Sequence, residues 1–405
     1  MKDRIASPRR GFAGALCLAA AWALTACGGG GTAASATDDT ASASTLSAQA
    51  ELGQKIFNDT SLSASGRQSC GTCHVAASGH AADNDLPAQM GGAALELQGH
   101  RSSPSIRYLA TNTPFFFDAE GTPTGGFFWD GRAASLQDQA ARPFTNPVEM
   151  ANTDEASVVD KLSRAAYVDD FKKLFGADIL TRPDDAFARM TLALQQFQRE
   201  DTSFRPFTSK YDEFLRGKAT LTDQEVRGFA LFNDPAKGNC AACHPSTKKS
   251  DGSHPLFTDF SYDNLGIPRN PDLIQNADPA FFDLGLCARD SGDLLSRADL
   301  CGAFKVPSLR NVALRHAFFH NGRFKTLKDA LTFYVQRDTN PEKFYPRNAD
   351  GTVNKFDDLP AQYRINVNTS EAPYNRRPGD APALSDAEID DLIAFLQTLT
   401  DGYTR

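Results

Sequence analysis

The sequence predicts a mostly α-helical chain built as two similar halves in tandem, behind an export signal and a flexible tether. Three observations carry this. A short unit, Gly53-x-x-x-Phe57-Asn58-Asp59 followed by Cys70-Gly71-Thr72-Cys73-His74, recurs about 170 residues later as Gly228-x-x-x-Phe232-Asn233-Asp234 and Cys240-Ala241-Ala242-Cys243-His244. Each half closes on an amphipathic helix pattern, while strand patterns are sparse. Ahead of both halves stands a basic, then apolar, then small-residue stretch. With 405 residues the chain can bury two separate cores.

The N-terminal elements come first. Lys2, Arg4, Arg9 and Arg10 precede an apolar run from about Gly11 to Ala26, too short for a bilayer span and right for a signal-peptide core. The run ends Leu24-Thr25-Ala26-Cys27, which resembles the lipobox of bacterial lipoproteins, so residues 1–26 read as signal and Cys27 as the acylated first residue. Ordinary cleavage after a small residue is the alternative. Residues 27–48 are rich in Gly, Ala, Ser and Thr with nothing to bury, and read as a tether. The expectation is a globular body leashed by lipid alone on the periplasmic side of a bacterial membrane, the outer one. Acidic residues outnumber basic ones, 50 to 42, which argues against nucleic acid as a partner.

The repeated C-x-x-C-H comes next. Two thiols one helical turn apart can each form a thioether with the same haem, and the adjacent histidine then faces the iron. A thioredoxin-type pair or half a zinc site needs no such histidine. Cys70, Cys73 and His74 are therefore assigned to one covalent haem c, and Cys240, Cys243 and His244 to a second. The closing helices are marked by Phe187, Met190, Leu194 and Phe197 in the first half. In the second they are marked by the capping box Ser385-x-x-Glu388 followed by Ile389, Leu392, Ile393, Leu396 and Leu399. The architecture expected is two cytochrome c-like domains, residues 49–217 and 218–405. Of the other cysteines, Cys17 leaves with the signal, and Cys287 and Cys301 enclose a charged loop that an oxidising compartment would close as a disulfide worth roughly 3 kcal/mol.

Further blocks separate the possibilities. Between the motifs lie Phe128-Trp129-Asp130-Gly131-Arg132-Ala133-Ala134-Ser135-Leu136, Gln139-Ala140 and Asn146-Pro147-Val148-Glu149-Met150. After the second come Phe257-Thr258-Asp259, Asn264-Leu265-Gly266, Val306-Pro307-Ser308-Leu309-Arg310-Asn311 and Phe319-His320-Asn321-Gly322. Together these resemble the bacterial dihaem cytochrome c peroxidases and their relative MauG, over residues 50–402. The runs Arg337 to Pro341, Phe356 to Pro360 and Asn366 to Thr369, with the helix from Ser385, resemble the MbnH branch, MauG-like enzymes that use peroxide to oxidise a tryptophan of a partner, MbnP.

The resemblance implies roles. Glu149 would be the acid–base group above the first, peroxidatic haem, with Gln139 and Pro143 lining the same pocket. Trp129, the only tryptophan left once the signal with Trp22 is gone, would relay electrons between the haems. His316 would be the sixth ligand of the second haem, where ordinary family peroxidases carry methionine and MauG carries tyrosine, since no methionine follows Met190. His320 would be structural. His80 and His100 lie where some relatives place a histidine that blocks the peroxidatic iron until the other haem is reduced, and neither is expected to ligate the active form. Relatives often hold calcium between the haems through an asparagine, and Ser102 stands in its place. The expected function is peroxide-driven formation of a high-valent two-haem state that oxidises a residue, a tryptophan, of a small exported MbnP-like protein. The alternatives are a cytochrome c peroxidase fed by a small redox protein, and a dihaem electron carrier that does no chemistry.

Overall fold

A computed structural model describes residues 45–404; the signal, Cys27 and residues 28–44 lie outside the described residues. Helix α1 (Ala48–Asn58) starts where Ser47 accepts the Ala50 N–H on its side chain. The backbone N–H and hydroxyl of Ser47 in turn donate to the Glu200 carboxylate at 2.7 and 2.9 Å. Residues 45–48, grouped with the tether by composition, therefore begin the folded body. A carboxylate distant in sequence supplies the partner that the local sequence does not reveal.

The first half continues with α2 (Cys70–Cys73), α3 (Leu136–Thr145), α4 (Glu155–Leu162), α5 (Val168–Phe175) and α6 (Pro183–Glu200). Proline opens α6 at its first turn, where a missing N–H costs nothing, and Asp184 and Asp185 follow at the positive end of the helix dipole. The faces of α1 and α6 bury Leu52, Ile56 and Phe57 against Phe187, Met190, Leu194 and Phe197, roughly 1.5–3 kcal/mol for each large side chain removed from water. The crossing is tight: a Cβ on Gly53 would sit 2.0 Å from the Ala193 carbonyl oxygen and 2.8 Å from Phe197 Cβ.

The second half repeats this with α7 (Lys210–Leu215), α8 (Asp223–Asn233), α9 (Leu327–Gln336) and α10 (Asp386–Gln397). The predicted capping box forms, with Glu388 N–H on Ser385 Oγ and Ser385 N–H on Glu388 Oε2. Helix α8 crosses α10 as α1 crosses α6. A Cβ on Gly228 would lie 2.0 Å from the Asp391 carbonyl oxygen and 2.8 Å from Phe395 Cβ. The repeated glycine of the sequence is thus a repeated helix crossing. Ile389, Leu392, Leu396 and Leu399 are buried, and Ile393 packs at the edge.

The change of core falls earlier than the expected boundary at Gly217. The first core ends at Phe204, and Tyr211 of α7 already belongs to the second. Its hydroxyl donates to the Ser246 carbonyl and its N–H to that of Thr398. The described residues fall in one compact unit, so the two cores are halves of one body. Sheet is limited to three antiparallel pairs of two-residue strands: β1 (Met90–Gly91) with β2 (Leu97–Gln98), β3 (Phe116–Phe117) with β4 (Pro123–Thr124), and β5 (Tyr262–Asp263) with β6 (Phe304–Lys305). Cys287 and Cys301 are disulfide-bonded. Among the described residues no helix is long and apolar enough to cross a membrane.

Candidate active site

The two C-x-x-C-H motifs are built alike. In each, the histidine N–H donates to the carbonyl of the first cysteine, at 3.0 Å for His74 and 2.9 Å for His244. Each imidazole then places Nδ1 on a backbone carbonyl, His74 on His80 at 3.1 Å and His244 on Phe257 at 2.7 Å. A carbonyl only accepts, so Nδ1 carries the proton and Nε2 is left free as a metal ligand. Both acceptor residues have left-handed backbones, with φ of 52° at His80 and 54° at Phe257. Burial pushes His74 down to about 4 and lowers His244 as well, which keeps both rings neutral and able to ligate.

The thiols are unlike redox-active ones. Burial, before any other influence, raises Cys70, Cys240 and Cys243 to about 12 and Cys73 to about 11. A thioredoxin-type pair requires the opposite shift. Cys240, Cys243 and His244 line a largely apolar cavity of about 270 Å³, walled by Phe232, Leu392 and Leu396. A neutral imidazole with Nε2 free, a thiol pair and apolar walls fit a covalently held haem.

Glu149 stands at the first site. Its N–H donates to the Asn146 carbonyl, and its own carbonyl accepts from Gly92. Strand β1 presses on it so closely that a Cβ on Gly91 would lie 2.8 Å from Glu149 Cα. The carboxyl lies near enough to Cys70 and Cys73 to act on both thiols. Burial raises its pKa, with Arg132 and a hydrogen bond from Asn146 only partly opposing. Gln139 and Pro143 are one turn apart on α3, and the Met150 N–H bonds the Pro143 carbonyl, joining this helix to the Glu149 segment.

Trp129 lines the second cavity and donates from Nε1 to the Ser102 carbonyl at 2.8 Å. The flanking residues lock its loop. Asp130 is buried and bonded to Arg101 and Arg132 at 2.7 and 2.9 Å, and the Arg132 guanidinium lies 3.8 Å from the Phe128 ring centroid. Gly131 has φ of 70°, and a Cβ there would meet the Tyr262 hydroxyl at 2.1 Å.

His316, expected as the sixth ligand, lies at the surface in this structure. Its side chain is 48% exposed, with Nδ1 3.1 Å from Asp85 on the surface, and it is absent from the cavity that His244 lines. The chain bends at His316 and Ala317, and Arg315 and Ala317 line the cavity while His316 between them does not. Two tyrosines face the cavity instead, Tyr334 on α9 and Tyr374. Neither hydroxyl has a hydrogen-bond partner among the described residues, and the Arg337 guanidinium lies 4.4 Å from the Tyr374 ring centroid. A tyrosine in an irregular segment carries no periodicity to mark it.

The remaining histidines near the two sites are placed by other contacts. His80 is buried, stacked on Phe204 at 4.1 Å with Nε2 on Ser203 Oγ. His100 is exposed. His320 is buried and stacked on Phe304 at 3.6 Å, as a structural residue would be, although it also lines the second cavity.

Residues 47–220 match the model of the di-haem cytochrome c peroxidase family. The methylamine utilization protein MauG of Paracoccus denitrificans is 36% identical over 87% of this chain and 89% of its own. The chain belongs to that family. Cytochrome c551 peroxidase of Nitrosomonas europaea is 34% identical, over 70% of this chain and 71% of its own. The crystal structure of the diheme peroxidase BthA from Burkholderia thailandensis superposes with a TM-score of 0.81 at 38% identity, covering 87% of this chain and 86% of that one. The protein is accordingly a peroxide-dependent oxidoreductase with two haem groups.

Proposed function

We propose that the protein is a MauG-like enzyme that reacts with hydrogen peroxide at the first site, shares the oxidising equivalents with the second, and oxidises a residue of a docked exported protein. One observation carries this reading: the first site holds His74 and a buried carboxyl, and the two loop histidines among the described residues are placed elsewhere, His80 on Ser203 and Phe204 and His100 at the surface. A site with nothing to displace needs no prior reduction.

Haem iron, when bound, supplies the electrons that cleave the O–O bond. The rest falls to the chain. His74 and His244 would hold the irons, with Nδ1 fixed by the His80 and Phe257 carbonyls. Glu149 as carboxylate would take a proton from one peroxide oxygen and return it to the other, which leaves as water. Its raised pKa brings the acid and base forms closer to balance at working pH. Trp129, fixed by Ser102 and by the Lys305 N–H on its carbonyl, passes one electron from the second site to the first. Each peroxide consumes two electrons and two protons and yields two waters, the electrons coming finally from the protein substrate. Tyr374 takes the place given to His316 as sixth ligand of the second haem: it lines the cavity and its oxygen is unpartnered, and because burial holds the phenol well above its ordinary range despite Arg337, the iron would have to displace its proton.

The Cys27 lipid anchor, the periplasmic face of the outer membrane and an MbnP-like substrate oxidised at tryptophan complete this reading. A carrier would have no use for Glu149. Reduction of peroxide by a small redox protein is the second reading, favoured by the similarity to cytochrome c551 peroxidase. Adding one equivalent of peroxide to the purified diferric protein separates them. An immediate spectral change at both haems is expected, and a response only after half-reduction would replace this proposal with the second reading.

A further inference from the structure

Arginines that line or flank the second cavity are, with one exception, matched to carboxylates. Arg107 pairs with Asp401 at 3.3 Å, Arg310 with Asp212 at 2.9 Å, and Arg337 with Asp338 at 2.7 Å. Arg315 has no carboxylate within reach among the described residues. One Nη donates to Ser102 Oγ at 3.1 Å and to the Ala317 carbonyl at 3.1 Å. Its other N–H groups have no partner among the described residues, and the side chain lines the His244 cavity while its charge acts on His74. Burial without a counter-charge lowers even this guanidinium to about 10. Lys305, on β6, likewise forms no ion pair, and Asp130 acts on it only at a distance. It lines the cavity, its ammonium is held by the Gly126 carbonyl, and burial drives it down to about 7.

A cation at a low-dielectric cavity with no bonded carboxylate is unfavourable, so two of them facing one cavity call for anions that belong there. Haem carries two carboxylates, its propionates. Both cations also touch the Trp129 scaffold. Arg315 bonds the side chain of Ser102, whose carbonyl holds the indole, and the Lys305 N–H bonds the Trp129 carbonyl.

We propose that Arg315 and Lys305 receive haem propionates beside Trp129, and that Arg315 is the fixed positive charge between the two haem sites, which makes a bound metal cation there unnecessary. Both are positioning residues. The inference rests on the two-haem assignment and not on which partner is oxidised. Among the described residues no group of three or more His, Cys, Asp or Glu could hold a metal ion. A fixed cation stabilises the more reduced, less positive state of each nearby haem, so its removal lowers the reduction potential.

The test is spectroelectrochemical titration of the haem-loaded protein, with metal analysis before and after exhaustive treatment with a chelator. The untreated protein is expected to hold no stoichiometric calcium, and both potentials are expected to survive chelation. Arg315→Gln is expected to lower both potentials, Arg315→Lys to restore most of the difference, and Lys305→Gln to lower chiefly the second. One equivalent of calcium whose removal shifts the wild-type potentials would overturn the proposal. So would potentials left unchanged in Arg315→Gln or, if that variant does not load haem, in Lys305→Gln.

Discussion

Replacing Glu149 with glutamine removes a base and little else. The carboxamide keeps the side-chain volume, and the backbone bonds that place the residue, from its N–H to Asn146 and from Gly92 to its carbonyl, do not involve the side chain. The first core is untouched. What is lost is proton transfer within the O–O cleavage step, for which positioned side chains contribute about 10²–10⁴-fold, or about 2.7–5.4 kcal/mol of barrier. The assay is stopped-flow measurement of the second-order rate of the Soret change against peroxide concentration. The pH profile supplies the sign. Burial raises the carboxyl above the ordinary 4.5, so the base form is lost, and the wild-type rate falls, as pH drops through a value above 4.5; the variant lacks that limb. A loss of less than about 10-fold, or an acid limb that persists in Glu149→Gln, would refute the acid–base role.

Other outcomes follow from the same geometry. Tyr374→Phe should convert the second haem from low to high spin, read by electronic absorption and EPR, whereas His316→Ala should leave its spectrum unchanged; the reverse pattern would restore the histidine. Asp212 is fully buried between Arg310 and His254, so Asp212→Ala should cost about 3–5 kcal/mol in denaturant unfolding by stranding the guanidinium. Burial alone would raise the Asp212 carboxyl, but its bonds to Arg310 and Ser209 hold it well below the usual range. Its contribution is therefore full above the unfolded value near 3.9 and is lost as pH falls below it. Gly228→Ala should destabilise by at least about 1–3 kcal/mol, because the added methyl meets backbone at α10 and not a movable side chain; an unchanged melting temperature would sink the close-crossing argument.

Much of the site was legible because its chemistry is local. C-x-x-C-H needs only one turn of chain, and the repeated Gly53 and Gly228 announced the repeated crossing without showing what they crossed. Phe128 to Arg132 could be recognised as a block, but the reason for it appears only in space, where Asp130 ties Arg101 and Arg132 and Gly131 makes room for Tyr262. Spacing alone could not fix the direction of His316, because the chain bends at 316 and 317 and only the fold shows its ring beside Asp85 at the surface. Tyr374 and Arg315 were illegible for a related reason. One lies in an irregular segment, and the other matters for the carboxylate it does not have. The early start of the fold at Ser47 and the grouping of α7 with the second core both depend on partners far away in sequence, Glu200 in one case and Ser246 and Thr398 in the other.

Sharing of oxidising equivalents through Trp129 is the central claim, and quantitative EPR of the ferric haems tests it most directly. One equivalent of peroxide is mixed with wild type and with Trp129→Phe, which keeps an aromatic ring but loses the bond to Ser102. In wild type the ferric signals of both haems should fall together, and in the variant only that of the first. Loss of the first signal alone in wild type, or of both in the variant, would contradict the account.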